Sequence, residues 1–308
     1  MPENTPVIEA PKSRLPLIAG IAALVVVLAV VAFFLTRGGE QDATSGETVR
    51  IGVVGASDPY WDEFVDAAAE EGIDVELRDF TDYTQPNPAL AAGELDLNQF
   101  QHSAYLADYN VAEGQDLTPI GATATYPLGL YSTQFESVED IPDGATVAVP
   151  DDTTNQARGL LVLQEAGLIE LADGGTIFSD LQDVEDSSRV EVTQLAADTT
   201  VTSLDDVAAA IVNNDFVERA GLSFEDALAT DDAESPESLP YVNIFVARAD
   251  DAENPTYQRL VEIFQETQAV TDGLQEVSGG TAVLLRTPAE ELRANLRDVE
   301  ELTREQRG

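Results

Sequence analysis

Along most of this chain, segments whose hydrophobic and polar pattern is typical of a β-strand alternate with segments whose pattern is typical of an α-helix. Residues 47–56 read Glu-Thr-Val-Arg-Ile-Gly-Val-Val-Gly-Ala, which predicts a buried strand ending in a glycine turn, and Ser57-Asp58-Pro59 then begins a helix. A second strand is predicted at residues 73–77, where apolar and acidic residues alternate. Because parallel strands need a crossover connection, usually a helix, this order predicts a parallel α/β unit.

Units of the same kind continue toward the C-terminus. Further strands are predicted at residues 95–100, 118–125, 145–150, 190–195, 208–212 and 241–247. Further helices are predicted at residues 88–93, 102–113, 153–166 and 257–277. The alternation predicts an α/β fold.

A long insertion in the middle of this alternation predicts two lobes. We assign residues 47–129 and 246–286 to the first lobe and residues 130–245 to the second, with hinge crossings near Gly129 and Ile244. Ligands of open α/β sheets bind at the carboxyl ends of the strands. The cleft between the two lobes is therefore the expected binding site.

The N-terminal segment differs in composition from the rest of the chain. Residues 15–36 are apolar and uncharged, and a helix of that length, at about 1.5 Å per residue, crosses the roughly 30 Å hydrocarbon core of a bilayer. Lys12 and Arg14 lie just before this run, which predicts that residues 1–14 stay in the cytoplasm. The segment therefore predicts a single-pass anchor in the cell membrane, with the folded domain outside the cytoplasm.

Residues 37–46 are rich in small and polar residues and predict a flexible tether. A cleavable signal peptide is the alternative to an anchor, but Thr36-Arg37-Gly38-Gly39 is a poor cleavage site.

Residues 287–308 form a separate C-terminal helical extension. Thr287-Pro288-Ala289-Glu290 has the pattern of a capping box with proline at the first helical position. Leucine and valine residues then recur on one helix face, at Leu292, Leu296, Val299 and Leu302. This face predicts a helix packed on the first lobe, and docking of a partner is the alternative.

The charge of the chain limits its partners. There are 58 acidic and 15 basic residues, for a net charge of −43. Residues 47–308 contain 54 of the acidic and 12 of the basic residues. Such a field repels nucleic acid and anionic surfaces, so no nucleic-acid partner is expected. Two interpretations remain open: an adaptation for solubility, including high salt, and a specific cationic partner.

The chain has no cysteine and a single histidine, His102. Disulfides, thiolate metal sites and nucleophilic cysteine are therefore excluded. His102 has no second histidine with which to bind a metal, and the adjacent Ser103 points away from it along the chain, so neither a metal site nor a serine–histidine pair is indicated. We predict no catalysis, no metal and no cofactor.

Several sequence blocks, in one order and spacing, resemble the NlpA/MetQ-type methionine-binding proteins of ABC importers. The resemblance covers residues 47–280, and its blocks are residues 82–87, 98–106, 126–127, 150–158, 213–222 and 240–243. It implies a two-lobed periplasmic-binding-protein-like (type II) fold with two hinge crossings, here preceded by a transmembrane helix. The implied partners are methionine, of either enantiomer, and the permease and ATPase subunits of the importer.

The resemblance also implies a ligand site. Seven residues are expected to bind the ligand: Tyr83, Phe100, His102, Tyr105, Asn155, Arg158 and Asn213. The guanidinium of Arg158 can hold a carboxylate bidentately, and Asn155 shares its helix face at three-residue spacing. The aromatic rings suit a thioether side chain, and an asparagine such as Asn213 can accept hydrogen bonds from an ammonium group.

This chain departs from the family at three places. Usual members are tethered through a lipidated N-terminal cysteine, which this chain lacks, and its tail extends past the usual end near Gly280. Ser103-Ala104 replaces a larger or proline-containing pair, so another amino acid or a short methionine-containing peptide is an alternative ligand. An anchored ligand sensor or a surface interaction protein is the alternative class.

Overall fold

The computed structural model describes residues 48–307. The predicted cytoplasmic segment, the anchor at 15–36 and the tether lie outside these residues. None of the helices within residues 48–307 combines the length and the hydrophobicity needed to cross a membrane.

Two five-stranded mixed sheets form the two lobes. The first has the order β2-β1-β3-β11-β4, with strands β1 Val49–Val54, β2 Val75–Phe80, β3 Leu97–His102, β4 Thr118–Ala122 and β11 Asn243–Ala247. The second has the order β10-β6-β9-β7-β8, with strands β6 Gly129–Tyr131, β7 Thr146–Pro150, β8 Glu191–Leu195, β9 Ala209–Val212 and β10 Ala229–Thr230. A short pair, β5 Ala124–Thr125 and β12 Val283–Leu284, lies beside the first sheet.

Helices connect and cover these strands. They are α1 Pro59–Glu70, α2 Pro86–Ala91, α3 Ser103–Glu113, α4 Thr153–Glu165, α5 Ala197–Thr200, α6 Asn214–Val217, α7 Pro255–Glu266, α8 Gln268–Val277 and α9 Ala289–Arg307. In α1, Pro59 occupies the first turn, where its missing N–H has no helical partner to lose. The apolar face of α1 buries Trp61 and Phe64 against Phe264 of α7 and Phe245 of β11, which form the aromatic core of the first lobe.

The second crossing between the lobes lies earlier than predicted. The chain passes to the second sheet between Thr125 and Gly129 and returns between Thr230 and Asn243. Ile244 is already inside the first sheet, because β11 pairs on both edges, with β3 and with β4. The second crossing was predicted near Ile244 and instead lies between Thr230 and Asn243.

The long helix predicted at residues 257–277 is two helices. Thr267 has an extended conformation (φ −75°, ψ 111°), which ends α7 and begins α8. The side chain of Gln265 donates to the carbonyl oxygen of Ala122, so the break coincides with a contact to the first sheet. Both helices keep an apolar face toward the core, which is why the period continued across the break.

Helix α9 packs on the first lobe. Its buried residues Leu292, Leu296 and Val299 join the core cluster beneath α3, and polar contacts link Asn110 to Glu300 and Arg307 to Asp108. This agrees with the predicted packing of the C-terminal extension on the first lobe, except at Leu302, which was predicted to lie on the same packed face but is 46% exposed near the end of the helix.

We expect Leu292→Ala to lower the free energy of unfolding by about 3 kcal/mol, because the fully buried Leu292 side chain would leave a cavity. Leu302→Ala is the matched control: Leu302 is 46% exposed on the same helix, and its replacement should change stability by less than about 0.5 kcal/mol. Urea denaturation would measure both. Equal effects of the two substitutions would contradict the packing of this face.

Candidate functional site

A cavity of about 40 Å³ lies between the two lobes, at the carboxyl ends of their strands. All seven predicted site residues line it: Tyr83, Phe100, His102, Tyr105, Asn155, Arg158 and Asn213. Sequence reasoning did not assign seven further lining residues, which are Gln101, Tyr126, Pro127, Leu128, Asn214, Asp215 and Asn243. Several of these belong to the sequence blocks that carry the family resemblance, and Asn214 and Asp215 directly follow the predicted Asn213.

The local structure explains how these side chains reach one place. Tyr83 follows β2, Phe100 and His102 end β3, and Tyr105 lies in the first turn of α3. From the second lobe, α4 begins just after β7 and presents Asn155, and Asn213 follows β9. Because these strands of each sheet run parallel to one another, their carboxyl ends meet at one edge, and the two edges face each other across the cleft.

Three aromatic rings form one wall of the cavity. The ring centroid of Tyr83 lies 5.9 Å from Phe100 and 6.2 Å from Tyr105, and Phe100 lies 5.8 Å from Tyr105. The Tyr105 hydroxyl donates to the carbonyl oxygen of Tyr83 at 3.0 Å, which fixes the loop after β2. The wall offers ring edges and faces to an apolar or thioether side chain.

A buried amide network lies next to this wall and reaches the cavity at Gln101. Asn87, Asn98 and Gln101 are almost fully buried. The Asn87 and Gln101 side chains exchange hydrogen bonds of 2.7 and 2.6 Å, and Asn98 donates to Asn87 at 2.9 Å. Because each buried amide has partners, the network ties α2 to β3 beside the cavity.

His102 is neutral and joins the two lobes. Its Nδ1 accepts the N–H of Tyr105 at 3.1 Å, so Nε2 carries the proton and donates to Oδ1 of Asn155 at 3.2 Å. Burial, together with a smaller contribution from the charge of Arg158, lowers the pKa of His102 to about 3, although the hydrogen bond to Asn155 acts in the opposite direction. His102 is therefore both the N-cap of α3 and a bridge across the cleft.

The imidazole of His102 should not titrate in the folded protein between pH 8 and pH 5. Unfolded chain takes up the proton near pH 6.5, so the folded state loses stability as the pH falls from about 6.5 toward 3. Because His102 is the only histidine, ¹H–¹⁵N spectra of the imidazole need no assignment. A signal of the Nε2–H tautomer that persists at pH 5 is expected, and an imidazolium signal at pH 6 would contradict the buried bridge.

Arg158 is buried and has a carboxylate partner that sequence reasoning missed. Its Nε and Nη2 donate to Asp231 at 2.6 and 3.1 Å, and Nη2 also donates to the carbonyl oxygen of Tyr126 at 2.7 Å. The guanidinium carbon lies 4.4 Å from the ring centroid of Tyr241. One edge of the fork is thus occupied by Asp231, and Nη1 has no hydrogen-bond partner within residues 48–307.

Acceptor groups lie on the second-lobe side of the cavity. The buried Oδ1 atoms of Asn213 and Asn214 have no hydrogen-bond partner within residues 48–307. Next to them, the Asp215 carboxylate accepts from the Tyr83 hydroxyl at 2.7 Å. Burial is the main reason that the pKa of Asp215 is raised to about 6, although the hydrogen bond from Tyr83 and the charge of Arg219 act in the opposite direction.

The arrangement suits a zwitterion with an apolar tail. A guanidinium edge can receive a carboxylate, unpaired amide oxygens can receive an ammonium group, and an aromatic wall can receive a side chain. Within residues 48–307, no group of three or more His, Asp or Glu side chains could hold a metal ion. Both ring nitrogens of the neutral His102 are hydrogen-bonded, to Tyr105 and to Asn155.

Comparisons with known proteins agree with this geometry. The sequence profile of the NlpA lipoprotein family matches residues 49–284. A curated relative, the probable D-methionine-binding lipoprotein MetQ of Pasteurella multocida, is 36% identical over 234 residues, which cover 75% of this chain and 83% of the relative.

Solved structures show the same fold. The substrate binding protein of a methionine transporter from Streptococcus pneumoniae superposes with a TM-score of 0.72 at 35% identity, covering 77% of this chain and 95% of that one. A nutrient binding protein from Burkholderia cenocepacia, solved bound to methionine, also gives a TM-score of 0.72 at 33% identity, covering 77% of this chain and 99% of that one. The chain therefore belongs to the NlpA lipoprotein family of substrate-binding proteins.

Proposed function

We propose that this protein is the membrane-anchored, extracytoplasmic substrate-binding component of an ABC importer and that its ligand is methionine or a close relative. The observation that carries the proposal is the cavity between the lobes. It combines the buried Arg158 guanidinium, the unpaired amide oxygens of Asn213 and Asn214, and the wall formed by Tyr83, Phe100 and Tyr105. The relatives named above, which are described as methionine-binding, support the same ligand.

Each part of an α-amino acid has a proposed partner. The carboxylate would meet Nη1 of Arg158, beside the edge that Asp231 holds in place. The ammonium group would donate to Asn213 and Asn214, whose buried oxygens gain hydrogen bonds only when a donor enters. The side chain would lie against the three rings, where a sulfur–ring contact contributes about 0.3–1.5 kcal/mol.

The proposed mechanism is closure of two lobes around the ligand. His102 of the first lobe donates to Asn155 of the second, so closing the cleft completes one wall of the cavity. The two crossings, at residues 126–128 and 231–242, would act as the hinges of a type II binding protein. The closed form would then dock on the permease subunits, with a cytoplasmic ATPase driving uptake.

Anchoring is proposed to occur through residues 15–36. The family name denotes lipoproteins, but the chain contains no cysteine on which a lipid could be placed. An uncharged apolar run preceded by Lys12 and Arg14 would hold the domain at the outer face of the membrane and keep it near its transporter.

Isothermal titration calorimetry with D- and L-methionine tests the ligand. We expect saturable heat with at least one enantiomer and much weaker binding of leucine, which is apolar but lacks the polarizable sulfur. Mass spectrometry of ligand retained through purification would identify another amino acid or a methionine-containing peptide. No heat with either enantiomer would refute methionine as the ligand.

A further inference from the structure

One short helical segment of the second lobe carries several contacts across the cleft. We define the latch segment as residues 214–220, which comprise α6 and the 3₁₀ turn Glu218–Ala220 that follows it. Asp215 and Arg219 are four residues apart on this segment and therefore lie on one face. Both face the first lobe.

The inner part of this contact is at the aromatic wall. Asp215 accepts from the hydroxyl of Tyr83 at 2.7 Å, and the ring centroid of Phe216 lies 5.4 Å from that of Tyr83. Phe216 is 6% exposed and belongs to a hydrophobic cluster that mixes residues of both lobes, including Val54 and Phe100 of the first. The segment is thus packed against the first lobe as well as hydrogen-bonded to it.

The outer part of the contact lies outside the cavity. Nη2 of Arg219 is 3.7 Å from the carboxylate of Asp58, the residue that precedes α1. Gly55, at φ +96°, makes this approach possible, because a Cβ at that position would lie 1.6 Å from Nη2 of Arg219. The backbone conformation of the turn after β1 favours glycine at position 55, and the guanidinium of Arg219 occupies the space where a side chain would otherwise begin.

We propose that residues 214–220 form a closure latch, in which the Arg219–Asp58 ion pair and the contacts of Asp215 and Phe216 with Tyr83 hold the two lobes together and slow ligand release. The proposal rests on the proposed function for its ligand, but the contacts themselves join the lobes without one. Asn213 immediately precedes the segment, so a ligand held by Asn213 would position the latch for closure.

The ion pair is the part that can be tested without altering the cavity, because neither Asp58 nor Arg219 lines it. Arg219→Gln removes the pair. Arg189→Gln is the matched control, since the Arg189 side chain is also 36% exposed and pairs with Asp143 inside the second lobe. A third variant, Asp58→Asn, and the double variant with Arg219→Gln complete a double-mutant cycle.

Two measurements on the full-length protein in detergent report on the latch. The chain has no native cysteine, so Glu113→Cys and Asp151→Cys place one spin label on each lobe, and electron–electron distance measurements give the closed fraction without ligand. Stopped-flow fluorescence gives the dissociation rate of L-methionine. We expect Arg219→Gln to lower the ratio of closed to open protein and to raise the dissociation rate, each about two- to fivefold.

The outcomes separate the two proposals. Equal closed fractions in Arg219→Gln and Arg189→Gln, or additive effects of Asp58→Asn and Arg219→Gln, would overturn the latch. If the wild-type protein bound no methionine, the proposed ligand would be refuted. The latch would still be supported if Arg219→Gln, but not Arg189→Gln, lowered the closed fraction relative to the wild type.

Discussion

Replacing Arg158 with alanine should weaken methionine binding by on the order of 100-fold and lower the free energy of unfolding by about 3 kcal/mol. The binding loss follows because hydrogen bonds to charged groups contribute about 1.5–3 kcal/mol each and every 1.4 kcal/mol is a factor of ten in affinity. The stability loss follows because Asp231, whose side chain is 23% exposed, would lose its charged partner. Calorimetry and urea denaturation measure the two effects.

A second substitution separates ligand binding from the stability of the ion pair. Asp231→Asn removes the countercharge of Arg158 but keeps the guanidinium in the cavity wall, where Tyr126 and Tyr241 still contact it. We expect this variant to lose stability while binding methionine within about tenfold of the wild type. Arg158→Lys should bind weakly, since an ammonium cannot reproduce the planar fork. If Arg158→Ala and Asp231→Asn lost affinity equally, Arg158 would have a structural role only.

The sequence predicted the strands, and the side chains that line the cavity, better than it predicted the hydrogen-bond partners of those side chains. Periodicity located most strands because each lobe buries a sheet, and the sequence blocks brought together seven side chains that do line one cavity. The partner of Arg158 was not predictable in the same way. Asp231 is 73 residues away and is one of 58 acidic residues, so only the fold selects it.

The same limit applies to the cross-cleft contacts and to the break between α7 and α8. Tyr83 and Asp215 are separated by 132 residues, and no sequence pattern around either residue predicts a hydrogen bond between the lobes. At Thr267 the apolar period continues while the backbone becomes extended. Breaks of this kind depend on tertiary contacts, such as that of Gln265 with Ala122, and cannot be predicted from the local sequence pattern.

The acidic surface should make the stability of the protein strongly dependent on salt. Residues 47–308 contain 54 acidic and 12 basic residues, so most carboxylates cannot be paired with a cation. Two like charges 10 Å apart in water repel by about 0.4 kcal/mol, and many such pairs exist at once. Raising the ionic strength from 0.1 to 1 M shortens the screening length from about 10 to about 3 Å and removes most of this repulsion.

We therefore expect the free energy of unfolding to rise by about 3 kcal/mol between 0.1 and 1 M NaCl, measured with urea because it adds no ions. A triple variant on the exposed face of α1, Glu63→Gln with Asp66→Asn and Glu70→Gln, separates screening from general salt effects on hydrophobic burial. Screening predicts that this variant is more stable at low salt and gains less from added NaCl. An unchanged unfolding midpoint across this salt range would show that the carboxylates do not repel one another appreciably, and the acidity would then be better explained by a cationic partner.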